Sequence, residues 1–284
     1  MSLETIGLGH TYNPGTPFAR EAIRDVSLRI ETGEFAGIIG HTGSGKSTLI
    51  QHFNALLKPT SGRILLHGED IHSGDKQELR KVRQQVGLVF QYPEHQLFEV
   101  NIRKDVAFGP ENMGLPAEDI RARVDKALRL VGIGEEHFEK SPFDLSGGQK
   151  RRVAIAGVLA MQPSILILDE PTAGLDPRAR HEILSTISNM HRELGITVVL
   201  VSHSMEDIAR YVSKVVVMHG GSIFRQGPPG EIFADADALE KIGLNAPATC
   251  VLFQKLRNRG LDLPQTPFTP EDAADILGRF LGKN

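Results

Sequence analysis

The chain has 284 residues, 40% hydrophobic and 24% charged, proportions ordinary for one large α/β domain with at most a small appendage. Lys and Arg number 32 against 35 Asp and Glu, and the formal net charge of -3 argues against a protein that coats nucleic acid. A single cysteine, Cys250, excludes an intrachain disulfide and a four-cysteine zinc site and fits a reducing compartment, while no apolar run is long enough to span a bilayer. The opening residues lack the basic start and apolar stretch of a secretory signal, so the chain is expected in the cytosol, with any membrane role coming through a partner.

Residues 22–30 alternate in hydrophobicity and predict a half-buried strand; residues 35–39 predict a short apolar strand ending in glycine. A helix is expected over 46–57, stopped near Lys58-Pro59, then strands over 62–67 and 86–90. The run 76–83 reads as a solvated helix face. Residues 99–140 read as mostly helical, broken at Pro110, Pro116 and 132–134. Beyond them come helix 147–161, buried strand 165–168, helix 177–194, strand 197–202, helix 205–211 and strand 214–218. The Gly227-Pro228-Pro229-Gly230 breaker precedes helical pieces divided by Pro247, Pro264, Pro267 and Pro270, and a C-terminal extension is placed from about residue 235.

Gly40-His41-Thr42-Gly43-Ser44-Gly45-Lys46-Ser47 fits the phosphate-loop pattern G-x-x-x-x-G-K-[ST], with a strand before it and a helix, opening on Lys46-Ser47-Thr48, after it. Glycines let backbone amides converge on phosphate oxygens at a helix N-terminus. Lys46 is expected at the β- and γ-phosphates of ATP, and the Ser47 hydroxyl on Mg²⁺. The apolar run 165–168 delivers Asp169 and Glu170 to a strand end: Asp169 suits Mg²⁺, and Glu170 suits polarising a water for in-line attack. Leu145-Ser146-Gly147-Gly148-Gln149 places a good N-cap and two bare glycines at the start of a long helix, a second anion site.

With that last motif the sequence resembles the nucleotide-binding subunits of ABC transporters, over about residues 3–233. The resemblance implies a P-loop NTPase core with an antiparallel β-subdomain and a helical subdomain over about 92–150. The whole nucleotide-binding domain would span 1–234, with a helical extension over 235–284. Gln91 matches the family's Q-loop, residues 173–176 its D-loop and His203 its switch histidine; Gln91 is thereby a further candidate for Mg²⁺ or the attacking water. Tyr12 is similar to the aromatic that stacks on adenine. Residues 40–52, 89–98 and 105–110 look like the ATPase subunits of energy-coupling factor (ECF) transporters, which import vitamins and transition-metal ions in prokaryotes, and His41 points to the second of two ATPase paralogues.

The resemblance implies a head-to-tail ATP sandwich, homodimer or paralogue heterodimer, in which residues 146–149 cap the phosphates held by the other subunit. It also implies a transmembrane coupling protein docked near residues 91–98 and a separate substrate-binding membrane protein, at the cytoplasmic face of the membrane. Two alternatives stand beside it: a conventional importer ATPase, and a soluble ABC ATPase of another class, which would carry a coiled-coil insertion or tandem cassettes. In the extension, Ala248, Val251, Leu252, Lys255 and Leu256, and again Ala273, Ile276, Leu277 and Phe280, recur at helical spacing. The resemblance assigns these helices to subunit assembly; packing on their own domain is the other reading. His67, His72, His181 and His191 read as surface or core residues, Met205 as core, and His52 has no chemical role.

Overall fold

The computed structural model describes residues 2–263 and 265–282. Met1, Pro264, Lys283 and Asn284 lie outside the described residues, and with them the break expected at Pro264 and the ends of the two expected domains. In chain order the strands and α-helices are β1 (Ser2–Tyr12), β2 (Arg20–Glu31), β3 (Phe35–Gly40), α1 (Lys46–Phe53), β4 (Ser61–Leu66), β5 (Glu69–Asp70), α2 (Lys76–Gln85) and β6 (Val86–Val89). There follow α3 (Ile102–Asn112), α4 (Ala117–Leu130), α5 (Gly147–Leu159), β7 (Ile165–Asp169), α6 (Pro177–Leu194), β8 (Thr197–Val201), α7 (Met205–Tyr211), β9 (Lys214–His219) and β10 (Ser222–Gly227). The chain continues through α8 (Pro229–Phe233), α9 (Ala236–Lys241), α10 (Ala248–Asn258) and α11 (Pro270–Phe280).

Two sheets result: an antiparallel one in the order β2-β1-β4-β5, and a six-stranded one in the order β10-β9-β3-β8-β7-β6. In the second, β9, β3, β8, β7 and β6 run parallel and β10 antiparallel. Parallel strands buried on both faces read as unbroken apolar runs, as in β7, whose residues are all buried. Their side chains alternate between two cores. Ile165 and Ile167 join Ile38, Val199 and Val216 in a core shared with β1, β2, β4 and α1. Leu166 and Leu168 join Ile39, Val198, Leu200 and Val217 in a core shared with α3 to α7. The six-stranded sheet is thus the middle of three layers.

Chain punctuation sets the element ends that the sequence predicts well. Asp176 caps α6 through the amides of Arg178 and Ala179, and Gly195, at φ 64°, closes it. Ser146 and Gln149 form a reciprocal capping box at α5. Other expectations shift. The helix expected over 46–57 ends at Phe53, because Ala55 turns to φ 54° and the Leu56 and Leu57 amides both return to the Gln51 carbonyl. Pro110 does not break its helix: α3 runs on to Asn112. β1 and β10 are strands that periodicity alone does not reveal. The β1 register slips three times between Thr5 and Thr11, and β4 approaches it so closely that a Cβ on Gly62 would stand 2.2 Å from the Gly7 carbonyl oxygen.

The extension divides in two. Ala236, Leu239, Leu244, Ala246 and Cys250 belong to the same core as α3 to α7, and Val251 packs against it. Phe253, Leu263 and Ala273 form a separate small core with Leu256, Ile276 and Leu277. Leu252 and Phe280, both 45% exposed, and Leu281 stay on the surface.

Candidate nucleotide-binding site

β3 enters the phosphate loop at Gly40, and only glycine fits there: a Cβ would meet the Met218 carbonyl oxygen at 2.4 Å and Ser44 Oγ at 2.6 Å. Gly45, at φ 102°, is as tightly confined by the Ala22 carbonyl oxygen and Ile23, whereas Gly43, at φ 80°, faces open space. The loop is closed by the Ser44 amide donating to the His41 carbonyl at 3.1 Å, and it passes into α1 as the Leu49 amide reaches the Gly45 carbonyl at 2.8 Å. Lys46 Nζ donates to the carbonyls of Gly40 at 2.7 Å and His41 at 2.9 Å. Burial pushes the Lys46 ammonium below its ordinary value, against the opposing pull of the Glu170 and Asp169 carboxylates.

Asp169 ends β7 facing this loop. Burial, reinforced by Glu170, pushes its carboxyl above the ordinary range; Lys46, a hydrogen bond from the Ser47 hydroxyl and His203 act the other way. Glu170, one residue on, adopts φ 50°, an uncommon backbone for a side chain of this kind. Its amide donates to the Val201 carbonyl at 3.0 Å, which ties it to β8. Both of its carboxylate oxygens are engaged: His203 Nε2 lies 2.6 Å from Oε1, and Gln91 Nε2 donates to Oε2 at 3.3 Å. Gln91, Glu170 and His203, far apart in sequence, therefore meet on one carboxylate.

Ser44 Oγ is buried without a hydrogen-bond partner among the described residues. An unpartnered hydroxyl inside a loop of convergent amides, together with Lys46, fits an anionic phosphate chain. Ser47 and Asp169 offer one hydroxyl and one carboxylate, the hard oxygen donors that suit Mg²⁺ beside phosphates and water. Among the described residues no group of three or more His, Cys, Asp or Glu is placed to hold a metal by itself, so the site suits an ion shared with a substrate.

Tyr12, at the end of β1 and 38% exposed, hydrogen-bonds Thr48 Oγ1 at 3.2 Å and stands edge-on to His10. It borders the start of α1. Residues 146–149 open α5 elsewhere: among the described residues no hydrogen bond or ion pair joins them to residues 40–48. They line a hollow of about 300 Å³ with Asp176 and Glu182, and nothing stands within 4 Å of a Cβ built on Gly147. Of the remaining histidines, His181 hydrogen-bonds the Tyr211 hydroxyl at the end of α7 and His191 the nearby Ile196 carbonyl, and Met205 is core.

Two buried polar residues near the site are ones that sequence reasoning passes over. Arg151, 1% exposed, forms a two-point ion pair with Glu94, at 3.0 and 2.6 Å, and donates Nη1 to the carbonyls of Pro171 at 2.9 Å and Ala173 at 2.8 Å. One guanidinium thus joins α5, the turn after Gln91 and the loop after Glu170. Burial would lift the Glu94 carboxyl, but the hydrogen bonds and charge of Arg151 outweigh it and hold it below the ordinary range. The available signal was an arginine leading into the apolar stretch of α5.

His52 is the second. Fully buried in α1, it must donate from Nδ1 to the Thr48 carbonyl at 2.7 Å, leaving Nε2 as a buried acceptor with no hydrogen-bond partner among the described residues. Burial pushes its pKa from 6.5 down to about 4. As pH falls below the unfolded value, the unfolded chain takes up a proton that the native one refuses, so stability declines with falling pH until about the native value is reached. Between about pH 6.5 and about pH 5 this amounts to roughly 1.5 kcal/mol. Urea titrations at these two pH values are expected to show a smaller acid loss in His52→Gln than in the parent; equal losses would remove His52 as the cause.

The family model for ABC transporters matches residues 23–173, and with the phosphate loop and α/β core this makes the chain an ATPase of the ABC class. The energy-coupling factor transporter ATP-binding protein EcfA2 of Symbiobacterium thermophilum is 57% identical over 277 residues, 97% of this chain and 96% of that protein. The structure of cbiO1 from Clostridium perfringens, part of the ABC transporter complex cbiONQ, aligns with a TM-score of 0.76 at 43% identity over 89% of this chain and 98% of that one. The ATP-binding cassette MJ0796, in a dimeric post-hydrolysis state bound to ADP and Pi, aligns with a TM-score of 0.71 at 30% identity over 80% of this chain and 98% of that one. The chain belongs to the ATP-binding subunits of energy-coupling factor transporters. It is an ATP-binding and ATP-hydrolysing subunit that works with membrane partners, and among its described residues no helix is long and apolar enough to cross a membrane.

Proposed function

We propose that this chain supplies one half of each of two ATP sites in a head-to-tail pair of ATPase subunits, a second copy or a paralogue, and that closing and opening of the pair drives uptake of a vitamin or transition-metal ion. The observation that carries this reading is the Glu170 carboxylate, held between Gln91 and His203 beside Asp169 and the phosphate loop. Residues 40–48 bind the phosphates, Lys46 as their paired charge, and Tyr12 packs on the adenine. Ser47 and Asp169 would hold Mg²⁺, with Gln91 a further candidate ligand, and the ion would supply neutralisation of charge on the phosphate oxygens. Glu170 orients and polarises the attacking water, and His203 fixes the carboxylate in place. Ser146, Gly147, Gly148 and Gln149 cap the phosphates held by the partner.

The groove beside the Gln91 turn, a cavity of about 600 Å³ lined by Leu56, Phe90, Leu97, Phe98, Phe108 and Met113, suits apolar helices of a transmembrane coupling protein. That docking places the chain at the cytoplasmic face of the membrane, with the transported substrate held by another membrane protein. Within residues 235–284, the exposed Leu252, Phe280 and Leu281 offer the apolar contact through which the extension serves assembly.

Ser146→Arg tests the arrangement. The isolated variant is expected to bind ATP as the parent does, because residue 146 lies apart from its own phosphate loop. ATP-dependent dimers, followed by gel filtration, are expected to be lost, since the bulky cation fills the capping surface. Dimers that persist overturn the head-to-tail arrangement.

A further inference from the structure

The phosphate-loop pattern leaves its second position open, and here it is His41. The His41 backbone is part of the loop, its carbonyl accepting from both Ser44 and Lys46, but its ring is turned away onto the extension. A Cβ built on Gly243 would stand 2.6 Å from His41 Nε2 and 3.2 Å from Cε1, so the ring packs directly on the Gly243 backbone. Gly243 is well fixed. It closes α9 at φ 72°, its amide donating to the Glu240 carbonyl at 2.8 Å, and the next residue, Leu244, is buried in the main core with its amide on the Leu239 carbonyl at 2.9 Å. Five residues beyond Gly243, the Ala248 amide donates to Glu206 Oε1 at 3.4 Å. Glu206 lies in the first turn of α7, the helix capped by Ser204 directly after His203. One short stretch of the extension therefore touches the loop after β3 and the helix after β8, from which two sides of the site are built.

We infer that residues 243–248 form a brace that positions the phosphate loop through His41 and the His203 segment through Glu206, and that this brace sets how fast nucleotide leaves. The inference rests on the reading of residues 40–48 as the nucleotide site. His41 and Gly243 are positioning residues: neither is asked to touch the reacting atoms. The extension then does more than join subunits, since whatever shifts α9 shifts the loop that holds the phosphates.

The experiment uses the full chain, a fluorescent ADP analogue released in a stopped-flow instrument, and hydrogen exchange of the loop amides without nucleotide. Gly243→Ala pushes an exposed ring aside and leaves the core alone; His41→Ala removes the same contact from the other side. Each is expected to speed release of the analogue about three- to ten-fold and to raise exchange at residues 41–46, and the double variant to go no further than either single one. Gly260→Ala is the control for backbone strain: Gly260 has φ 91° in the same extension with nothing among the described residues within 4 Å of its would-be Cβ, and release is expected at the parental rate. Parental release and exchange in both single variants overturn the brace. So do effects that add in the double variant, or an equal effect in Gly260→Ala. A parent that binds the analogue no better than Lys46→Ala sinks the nucleotide-site reading instead, and the exchange measurement still decides whether His41 and Gly243 hold the loop.

Discussion

Glu170→Gln is expected to lower ATP turnover in the assembled transporter by at least about 100-fold, the scale on which a positioned general base acts. Nucleotide binding is expected to survive. The carboxamide keeps the shape of the side chain, and the loop that closes on the phosphates, with Lys46 on the Gly40 and His41 carbonyls, does not include residue 170. What is lost is the charge that holds His203 Nε2 at 2.6 Å and the oxygen able to take a proton from water. Turnover measured beside ATP-dependent dimer formation separates the two effects: the variant is expected to accumulate ATP-bound dimers that do not reopen. Turnover near that of the parent would remove Glu170 from the chemistry.

Arg151→Met is expected to be the most damaging single change to stability outside the apolar cores, costing about 3–5 kcal/mol. It leaves the Glu94 carboxylate without its counter-ion and strips a donor from the Pro171 and Ala173 carbonyls in one step. Lysine does not replace it, because one ammonium cannot span both the carboxylate and the paired carbonyls in the fixed plane of a guanidinium. A second change, Glu94→Leu, removes the stranded charge and is expected to recover part of the loss, with the carbonyls still unserved. Denaturant titrations of the three variants measure this. A loss below about 1 kcal/mol for Arg151→Met would mean that water replaces the guanidinium freely.

What was legible in the sequence follows from where the physics is local. The ends of α6 are written in Asp176, Pro177 and Gly195, and α7 was read to the residue, with the structure adding the Ser204 cap that starts it. The parallel strands announce themselves by burial on both faces, as in β7 and β8. β1 is harder: Gly7, Gly9, His10 and Thr11 interrupt the alternation, and the strand exists because β2 and β4 pair with it from both sides. At the site, the loop, Asp169 with Glu170, and residues 145–149 are contiguous motifs. Gln91 and His203 came from the family resemblance, and their meeting on Glu170 is a tertiary fact. Arg151 with Glu94 and His41 with Gly243 were invisible for the same reason. Each pairs one ordinary polar residue with a distant stretch, and no periodicity marks such a pair.

The order of the strands has a mechanical consequence. The phosphate loop leaves β3, His203 follows β8, Asp169 ends β7 and Gln91 lies just past β6, and these four strands are immediate neighbours ending at a sheet edge. At about 4.8 Å per strand, Gln91 stands some three strand widths, about 15 Å, from the line of β3. Counted from the β6 edge, Gln91 comes first, Glu170 second, His203 third and the phosphate loop last. The extension touches His41 from the β3 side, at the opposite end of the same file. On the proposed reading, a coupling protein in the groove beside Gln91 and the extension at His41 would meet one file of site residues from its two ends.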